Sequence, residues 1–181
     1  MGKNAKKLFK ASVTELLNSK SLDNITIKEI VELSGLTRQS FYDNFQDKYD
    51  LVYQIFVDDS EASLKSFSGR WDVVISNSLK IMREKHLFYT NALKYKGQNS
   101  LTNGFAEYII RTHSAFLLSP GSGHYADETL SDMIRFHAYG TAEMTTDWAL
   151  SGMKKNPEKL SGLFCECMPD KIKQAYLEIK A

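Results

Sequence analysis

Four consecutive side chains near the N-terminus can all form hydrogen bonds with a partner outside the chain: Thr37, Arg38, Gln39 and Ser40. The guanidinium of Arg38 can bond two acceptors on a guanine edge, and the amide of Gln39 can bond an adenine in the same two-point way. Each such pair discriminates against a wrong base by roughly 1–3 kcal/mol. The run therefore has the chemistry needed to read base edges in a DNA groove.

Four polar residues close to this run are suited to the backbone that flanks a groove. Tyr42 offers a hydroxyl, Lys48 offers an ammonium, and Thr26 marks an exposed helix start whose N–H groups can face an anion. Asn44 lies on the same outward face as the run. We predict that all four contact DNA. A further group of lysines is either a phosphate-binding arm or a solubilising tail; it comprises Lys3, Lys6, Lys7 and Lys10.

Two short helices separated by a tight turn are predicted to position these side chains. Thr26 followed by Glu29 is typical of a capping box that opens one helix, and Thr37 can cap the next. Gly35 lies between them, where a residue without Cβ tolerates a positive φ. Asp47 can cap a fourth, longer helix. The pattern indicates a helix-turn-helix, whose second helix enters the major groove by its N-terminal end.

The apolar residues around this turn recur at helical spacing and predict one small core. An amphipathic first helix is expected to complete it. The predicted members are Ile30, Val31, Leu36, Phe41 and Phe45, together with Leu8, Val13 and Leu16 of the first helix.

The remaining chain is also predicted to be helical. Helical runs extend over about 71–85, 101–118 and 127–153, and strand signals are nearly absent. In the last segment the helical phase continues across Pro169, which predicts either a kinked helix or two successive helices. The fold class is therefore all-α, with a three-helix helix-turn-helix domain over residues 1–46 and a helical effector-response and dimerisation domain over residues 47–181.

The segment ITIKEIVELSGLTRQSFYDNFQDKYDLV resembles the DNA-binding domain of the TetR family of bacterial transcriptional regulators. The resemblance covers about the first 60 residues and rests on the spacing of Thr26, Ile30, Gly35, Leu36, Tyr42, Phe45, Lys48 and Leu51. Ser34 and Phe41 depart mildly from the family pattern. The resemblance implies that residues 37–40 contact bases and that Tyr42 and Lys48 contact phosphate. RQSFYDNFQ and WALSGMKKNPEKL are also similar to the dihydroxyacetone-kinase regulator subgroup.

The second region contains a pool of aromatic and imidazole side chains that either line a ligand pocket or form ordinary core. The candidate ligand contacts are Trp71, Tyr89, Tyr108, His113, His137 and Trp148. Small residues at Gly140, Ala142 and Ala149 would permit close helix approach, either in a dimer seam or in a tightly packed core.

The spacing of the remaining residues and the composition argue against a metal site, a catalytic site and a membrane span. Cys165 and Cys167 point to opposite sides of a helix, and the four histidines show no helix-face pair, so no metal site is predicted. There is neither a nucleophile elbow nor a phosphate-binding glycine loop, so we predict no cofactor and no enzyme. A net charge of +1, 43% hydrophobic content, and the lack of a signal-like or membrane-spanning apolar run predict a soluble cytoplasmic protein.

Together these patterns predict a homodimeric DNA-binding transcriptional regulator that recognises a palindromic operator. The C-terminal helices would form the dimer and hold the response to an effector. A repressor released by a small-molecule effector is the mode we predict. The alternatives are an activator that works through a protein co-regulator and a non-DNA-binding interaction module with the same fold.

Overall fold

The computed structural model of the chain describes residues 2–179, and within that range the secondary structure is helical with no strand. A 3₁₀ turn at Leu22–Asn24 precedes the second helix. The helices are α1 (Gly2–Leu17), α2 (Ile27–Ser34), α3 (Arg38–Tyr42), α4 (Lys48–Leu64), α5 (Trp71–Glu84), α6 (His86–Leu93), α7 (Leu101–Leu117), α8 (Glu128–Leu150), α9 (Pro157–Glu166) and α10 (Asp170–Ile179). The all-α prediction is confirmed.

Side-chain caps begin α2, α3 and α4 where the sequence predicts them. Thr26 Oγ1 accepts a hydrogen bond from the Glu29 N–H at 3.3 Å, and the Glu29 carboxylate accepts one from the Thr26 N–H at 2.8 Å. Thr37 Oγ1 accepts from the N–H three residues further on, at 3.1 Å. The Asp47 carboxylate accepts two N–H bonds of 2.8 Å in the first turn of α4. Local sequence is enough to predict where these helices begin, because a capping side chain bonds only to the first turn of its own helix.

The corner between α2 and α3 depends on one residue in the left-handed conformation. Gly35 has φ of 67° and ψ of 17°, and its N–H donates to the Glu32 carbonyl. A Cβ added here would meet no atom within 4 Å. Backbone strain is therefore the only obstacle to a side chain at this position.

Replacing Gly35 with alanine is expected to lower the free energy of unfolding by about 1–2 kcal/mol, since the left-handed region disfavours a Cβ by that amount. Urea denaturation measures the difference. Gly162 is the matched control, because it lies inside α9 with equally open space around its added Cβ. Gly162→Ala should stabilise the protein by about 0.5–1 kcal/mol. A destabilisation equal to that of Gly35→Ala would contradict the strain argument.

Three aromatic rings hold the three-helix head (α1–α3) together. Phe9 of α1 packs edge-on against Phe41 of α3 at 5.3 Å and against Phe45 at 6.1 Å between centroids. Leu8, which we predicted in this core, is instead 39% exposed. Successive helix residues are about 100° apart around the axis, so the face that buries Phe9 and Val13 turns Leu8 outward.

Helix α4 connects this head to the body of the protein (α4–α10). Its buried residues Leu51, Val52, Ile55 and Phe56 belong to a continuous core that extends from α1 to α9. Within the body, α5 packs on α9 and α7 packs on α8. The boundary predicted between residues 46 and 47 stays a prediction, since the core continues across it.

Helix α6 is not among the helical runs predicted from the sequence. It follows α5 directly at Lys85, whose φ of −97° and ψ of 33° change the chain direction without a glycine or proline. Four of its eight residues are fully buried: Phe88, Tyr89, Ala92 and Leu93. So short a segment gives too few turns for its apolar period to stand out.

The last segment consists of two helices, which settles the alternative left open at Pro169. Helix α9 begins with the Asn156 cap and Pro157 in its first turn, and it ends at Glu166. Helix α10 begins at Asp170, directly after the proline. Pro169 has no N–H to continue the first helix and fits the start of the next.

Candidate nucleic-acid interface and ligand cavity

The N-terminal end of α3 carries the four side chains that could read bases. Thr37, Arg38 and Gln39 are exposed and Ser40 is half-buried, while the next residue, Phe41, is fully buried beneath them. Thr37 caps the helix and so uses one oxygen lone pair locally. The structure thus brings the predicted run together on one surface, anchored by an aromatic side chain in the head core.

Two of these side chains have partners on their own helix. The Arg38 guanidinium donates to the Tyr42 hydroxyl at 3.4 Å and lies 5.8 Å from the centre of that ring. The Gln39 amide donates to the Asp43 carboxylate at 2.8 Å. Exposed pairs four residues apart on a helix contribute only about 0.2–0.5 kcal/mol each. Both side chains can therefore exchange these partners for base edges at small cost.

Asn44 and Thr26 are partly committed to the head itself. The Asn44 amide donates to the Ser40 carbonyl at 2.7 Å and satisfies the end of α3. Thr26 begins α2 in the capping box with Glu29, which also forms an ion pair with Lys20. The Lys20 bond, together with the Thr26 bonds, lowers the pKa of Glu29 to about 2. A phosphate at the start of α2 would therefore be repelled by the ionised Glu29 carboxylate, and the DNA contact of Thr26 stays a prediction.

Lys48 is bound to carbonyls of the head. Its ammonium donates to the carbonyls of Leu22 at 2.8 Å, Ile25 at 2.7 Å and Asp23 at 3.2 Å. Burial lowers its pKa below the usual lysine value. An ammonium has three donors, and all three are used here. The phosphate contact predicted for Lys48 therefore requires one of these bonds to be exchanged, and it stays a prediction.

Replacing Lys48 with methionine is expected to lower the free energy of unfolding by about 1–3 kcal/mol, because carbonyls that the ammonium shields lose their partner. Urea denaturation checks this value. Binding to DNA as a function of salt then tests the phosphate contact separately. Because the dimer has two heads, loss of one phosphate contact in each lowers the slope of log K against log salt by about 2. An unchanged slope would contradict the contact and leave Lys48 with a structural role alone.

The lysines at the start of α1 differ in their surroundings, and both alternatives, a phosphate-binding arm and a solubilising tail, stay predictions. Lys6 and Lys7 are exposed, whereas Lys10 donates to the Asp58 carboxylate at 2.6 Å and to the Gln54 carbonyl at 3.3 Å. Lys10 therefore ties α1 to α4 and is not a free phosphate ligand. The side chain of Lys3 lies outside the described residues.

A cavity of about 110 Å³ lies in the body, between α4, α5, α7 and α8. Four of the six predicted ligand residues line it: Trp71, Tyr108, His113 and His137. The rest of its wall is mainly apolar and includes Phe56, Leu64, Val74, Ile75, Leu79, Met82, Phe105, Ile109, Ala142 and Phe164. A concave apolar wall with a few polar groups is the usual form of a small-molecule site.

Tyr89 and Trp148 are not brought to this cavity. The buried Tyr89 hydroxyl donates to Asp59 at 2.7 Å, and Lys85 binds the other oxygen of the same carboxylate at 2.5 Å. The Trp148 indole donates to the Lys155 carbonyl at 2.8 Å, which closes the turn after α8. Both side chains pack between helices. For Tyr89 and Trp148 this agrees with the alternative that the aromatic side chains of the second region form ordinary core.

Two histidines in the cavity wall are held neutral by burial. His113 Nδ1 hydrogen-bonds the Tyr176 hydroxyl at 2.6 Å, and its ring lies 6.0 Å from that of His137. Burial, and then the neighbouring imidazole, lower the pKa of His113 to about 3. Burial also lowers the pKa of His137, with Lys173 adding to the effect.

The free energy of unfolding is expected to fall as the pH falls from 6.5 toward 3. The unfolded chain takes up a proton at His113 below its ordinary pKa of 6.5, whereas the folded chain does not. By pH 5 this difference removes about 2 kcal/mol. His113→Gln should reduce the pH dependence, and His86→Gln, at an exposed position on α6, should leave it unchanged. Denaturation at pH 8 and pH 5 compares them; equal slopes in all three proteins would contradict the prediction.

Most of the cavity wall was missed by sequence reasoning. Helices α5 and α7 supply residues such as Leu79, Met82 and Phe105, and α8 supplies Ala142 and Thr145. Nothing in their spacing separates a residue that faces a void from one that faces another side chain. The only usable signal was the concentration of imidazole and aromatic groups.

Two family profiles match the chain. Residues 12–55 match the bacterial regulatory proteins of the tetR family. Residues 69–170, more than half of the chain, match the C-terminal region of transcriptional regulators of that family. The chain belongs to the TetR family. No curated protein matches it by sequence.

Solved structures of two transcriptional regulators share the fold. The dihydroxyacetone kinase operon activator DhaS is 19% identical, with a TM-score of 0.63 over 94% of this chain and 97% of that chain. The TetR family repressor AlkX from Dietzia sp. strain DQ12-45-1b is 14% identical, with a TM-score of 0.56 over 93% of this chain and 97% of that chain.

As a TetR-family member, the chain is a DNA-binding transcriptional regulator that dimerises, and it is not an enzyme. The family profile over residues 12–55 covers α2 and α3 of the head. Across residues 2–179, no helix is long and apolar enough to cross a membrane.

One face of α8 in this TetR-family body exposes large apolar side chains, with the exposed Glu143 among them. Phe136 is 80% exposed, and Tyr139 and Met144 are about half exposed on the same side of the helix. Gly140 lies among them with open space around it. Of the small residues predicted for a seam, only Gly140 lies on this face, because Ala142 and Ala149 are buried in the core. Leu177 of α10 is also 68% exposed.

Proposed function

We propose that this TetR-family protein binds a palindromic operator as a homodimer and reads it with residues 37–40. The single observation that carries this proposal is the N-terminal end of α3, where Thr37, Arg38 and Gln39 are exposed side by side. One five-residue helix reaches only a few base pairs. Two copies related by a twofold axis double the site, which explains the need for a palindrome. DNA binding places the protein in the cytoplasm.

The dimer forms through the C-terminal helices, with the apolar face of α8 at its centre. Phe136 is 80% exposed, and Tyr139 and Met144 are about half exposed, with Arg135 packed over the Tyr139 ring. Gly140 between them allows the partner helix to approach closely. A twofold interface places this same face on both subunits, so each residue is buried twice. Leu177 of α10 extends the patch if the partner covers both helices.

Helix α4 links the cavity to the reading head. Phe56 and Ser60 of α4 form part of the cavity wall. Between them, Asp58 binds Lys10 of α1, and Asp59 binds the body through Lys85 and Tyr89. A ligand that binds more tightly to one position of α4 therefore favours one spacing between the two heads of the dimer. The affinity for DNA changes because the operator also requires a particular spacing.

The mode of control is release of a repressor when an effector occupies the cavity. An activator that works through a protein co-regulator is the second candidate, and one observation favours it: DhaS, which shares the fold, is an operon activator. AlkX, which shares it too, is a repressor. The shared fold therefore serves both modes, and binding measurements have to separate them.

Selection of bound fragments from a random double-stranded DNA pool, at fixed near-physiological salt, tests the proposal. A recovered palindrome supports a twofold reader. If nothing is recovered, the selection is repeated with cell extract; rescue supports the co-regulator mode, and continued failure contradicts operator binding by residues 37–40. The small-molecule fraction of the extract then distinguishes the modes, because it should weaken DNA binding by a repressor and leave a co-regulated activator unaffected.

A further inference from the structure

Among the described residues that line the body cavity, none has a charged side chain. Its lining is supplied by apolar, hydroxyl, aromatic and imidazole groups, with no aspartate, glutamate, lysine or arginine among them. An ion moved from water into such surroundings needs an opposite charge or several hydrogen bonds to offset its lost hydration. The lining side chains offer a charged ligand no counter-charge, and the Lys173 ammonium acts on His137 from outside the lining.

The two histidines do not supply that charge either. His113 is only 5% exposed and is held by the Tyr176 hydroxyl, which burial keeps un-ionised by raising its pKa. His137 is 7% exposed, and burial lowers its pKa as well. Neutral imidazole offers one donor and one acceptor. These rings can therefore orient a neutral polar group but cannot neutralise a carboxylate.

Trp71 adds an unused hydrogen-bond donor to the same wall. Its indole N–H is shielded from solvent and has no hydrogen-bond partner among residues 2–179. The ring packs against His113 at 4.9 Å and against Tyr176 at 5.4 Å between centroids. A buried donor without a partner is unfavourable, and an indole N–H can only donate. The nitrogen is not exposed to the cavity, so the Trp71 ring has to turn before a ligand oxygen can accept from it, and that bond would then satisfy the buried donor.

The size of the cavity limits the ligand to about one ring. Its volume is about 110 Å³. For comparison, an engineered apolar cavity of about 150 Å³ binds benzene. The cavity is partly open to solvent, which leaves room for a short substituent on that ring.

We propose that the effector is an uncharged organic molecule of about one ring that carries a hydrogen-bond-accepting oxygen directed at the Trp71 indole N–H. The proposal rests on the assignment of the cavity to the effector under the proposed function. The neutral wall selects against acids and amines, the apolar residues provide most of the affinity, and Trp71 distinguishes an oxygenated ring from a hydrocarbon of the same shape.

The test uses four ring compounds of similar size and the native dimer. Acetophenone is neutral with an acceptor, ethylbenzene lacks the acceptor, and benzoate and benzylammonium carry opposite charges. Ligand-observed NMR measures each Kd. We expect acetophenone to bind about 5-fold more tightly than ethylbenzene, as one neutral hydrogen bond provides, and both ions to bind at least about 100-fold more weakly than acetophenone. Binding of either ion as tight as that of acetophenone, or no binding by any compound, overturns the proposal.

Trp71→Phe removes the indole N–H while keeping an aromatic ring in the wall. It should abolish the advantage of acetophenone over ethylbenzene, whereas Trp148→Phe should keep it, since that indole donates to Lys155 outside the cavity. Survival of the advantage in Trp71→Phe overturns the role of Trp71. If that variant does not fold, the four-compound comparison on the native dimer still decides the ligand class.

Measuring operator affinity with and without each ligand shows whether a failure concerns the ligand class or the proposed function. Acetophenone that binds the dimer but leaves operator affinity unchanged contradicts the cavity as the effector site and leaves its ligand class intact. If benzoate or benzylammonium binds the cavity and alters operator affinity, the cavity is the effector site. In that case the proposal of a neutral ligand is wrong.

Discussion

Replacing Phe136 with glutamate is expected to convert the dimer to monomers and to reduce operator affinity by more than about 100-fold. Burial of a phenylalanine side chain contributes about 1.5–3 kcal/mol, and a twofold interface contains it twice. The substitution also places two carboxylates in that interface, where they are desolvated without a partner. Sedimentation velocity measures the mass, and fluorescence anisotropy with a labelled operator measures the affinity.

Leu87→Glu is the control for this prediction. Leu87 is a large apolar side chain on α6 that is 45% exposed and lies outside the face of α8. Its replacement should leave the mass and the operator affinity unchanged. A Phe136→Glu protein that remains dimeric at micromolar concentration would place the interface elsewhere on the surface.

Replacing Arg38 with alanine is expected to lower affinity for the selected operator by at least about 30-fold. A bidentate arginine–guanine contact is worth roughly 1–3 kcal/mol, and each dimer has two reading heads. Affinity for unrelated DNA should fall far less, because non-specific binding depends on phosphate contacts. The ratio of the two affinities, measured at one salt concentration, is therefore the informative quantity.

The matched control for Arg38 is Arg83, an exposed arginine in the last turn of α5. Arg83→Ala removes the same charge from the protein without touching the head. The two variants should differ in specificity and not merely in net attraction to DNA. Equal losses on operator and unrelated DNA after Arg38→Ala would indicate a phosphate contact in place of a base contact.

The reading head could be predicted from sequence almost in full, because its determinants are local. The caps at Thr26, Thr37 and Asp47 each bond within their own helix, and Gly35 marks the corner by the absence of a Cβ. Burial of Phe41 leaves Thr37, Arg38 and Gln39 exposed and Ser40 half-buried at the start of the same helix. The contact roles of these residues stay predictions until the variants are measured.

The partners of Lys48 and Lys10 could not be predicted in the same way. Lys48 binds carbonyls 23 to 26 residues earlier in the chain, and Lys10 binds a carboxylate 48 residues later. A lysine looks alike in sequence whether it faces water, phosphate or a carbonyl. Only the position of α4 against the head makes the carbonyls of the 3₁₀ turn available.

The sequence by itself determined the all-α class, the family and the head with its exposed run, because helix caps, apolar periods and a tight turn are set by residues a few positions apart. The tertiary structure decided which of the aromatic and imidazole side chains share a cavity. Trp71, Tyr108, His113 and His137 come from three different helices and meet there, whereas Tyr89 and Trp148 are used for packing. A cavity is a space between helices, and its walls are defined only when those helices have packed.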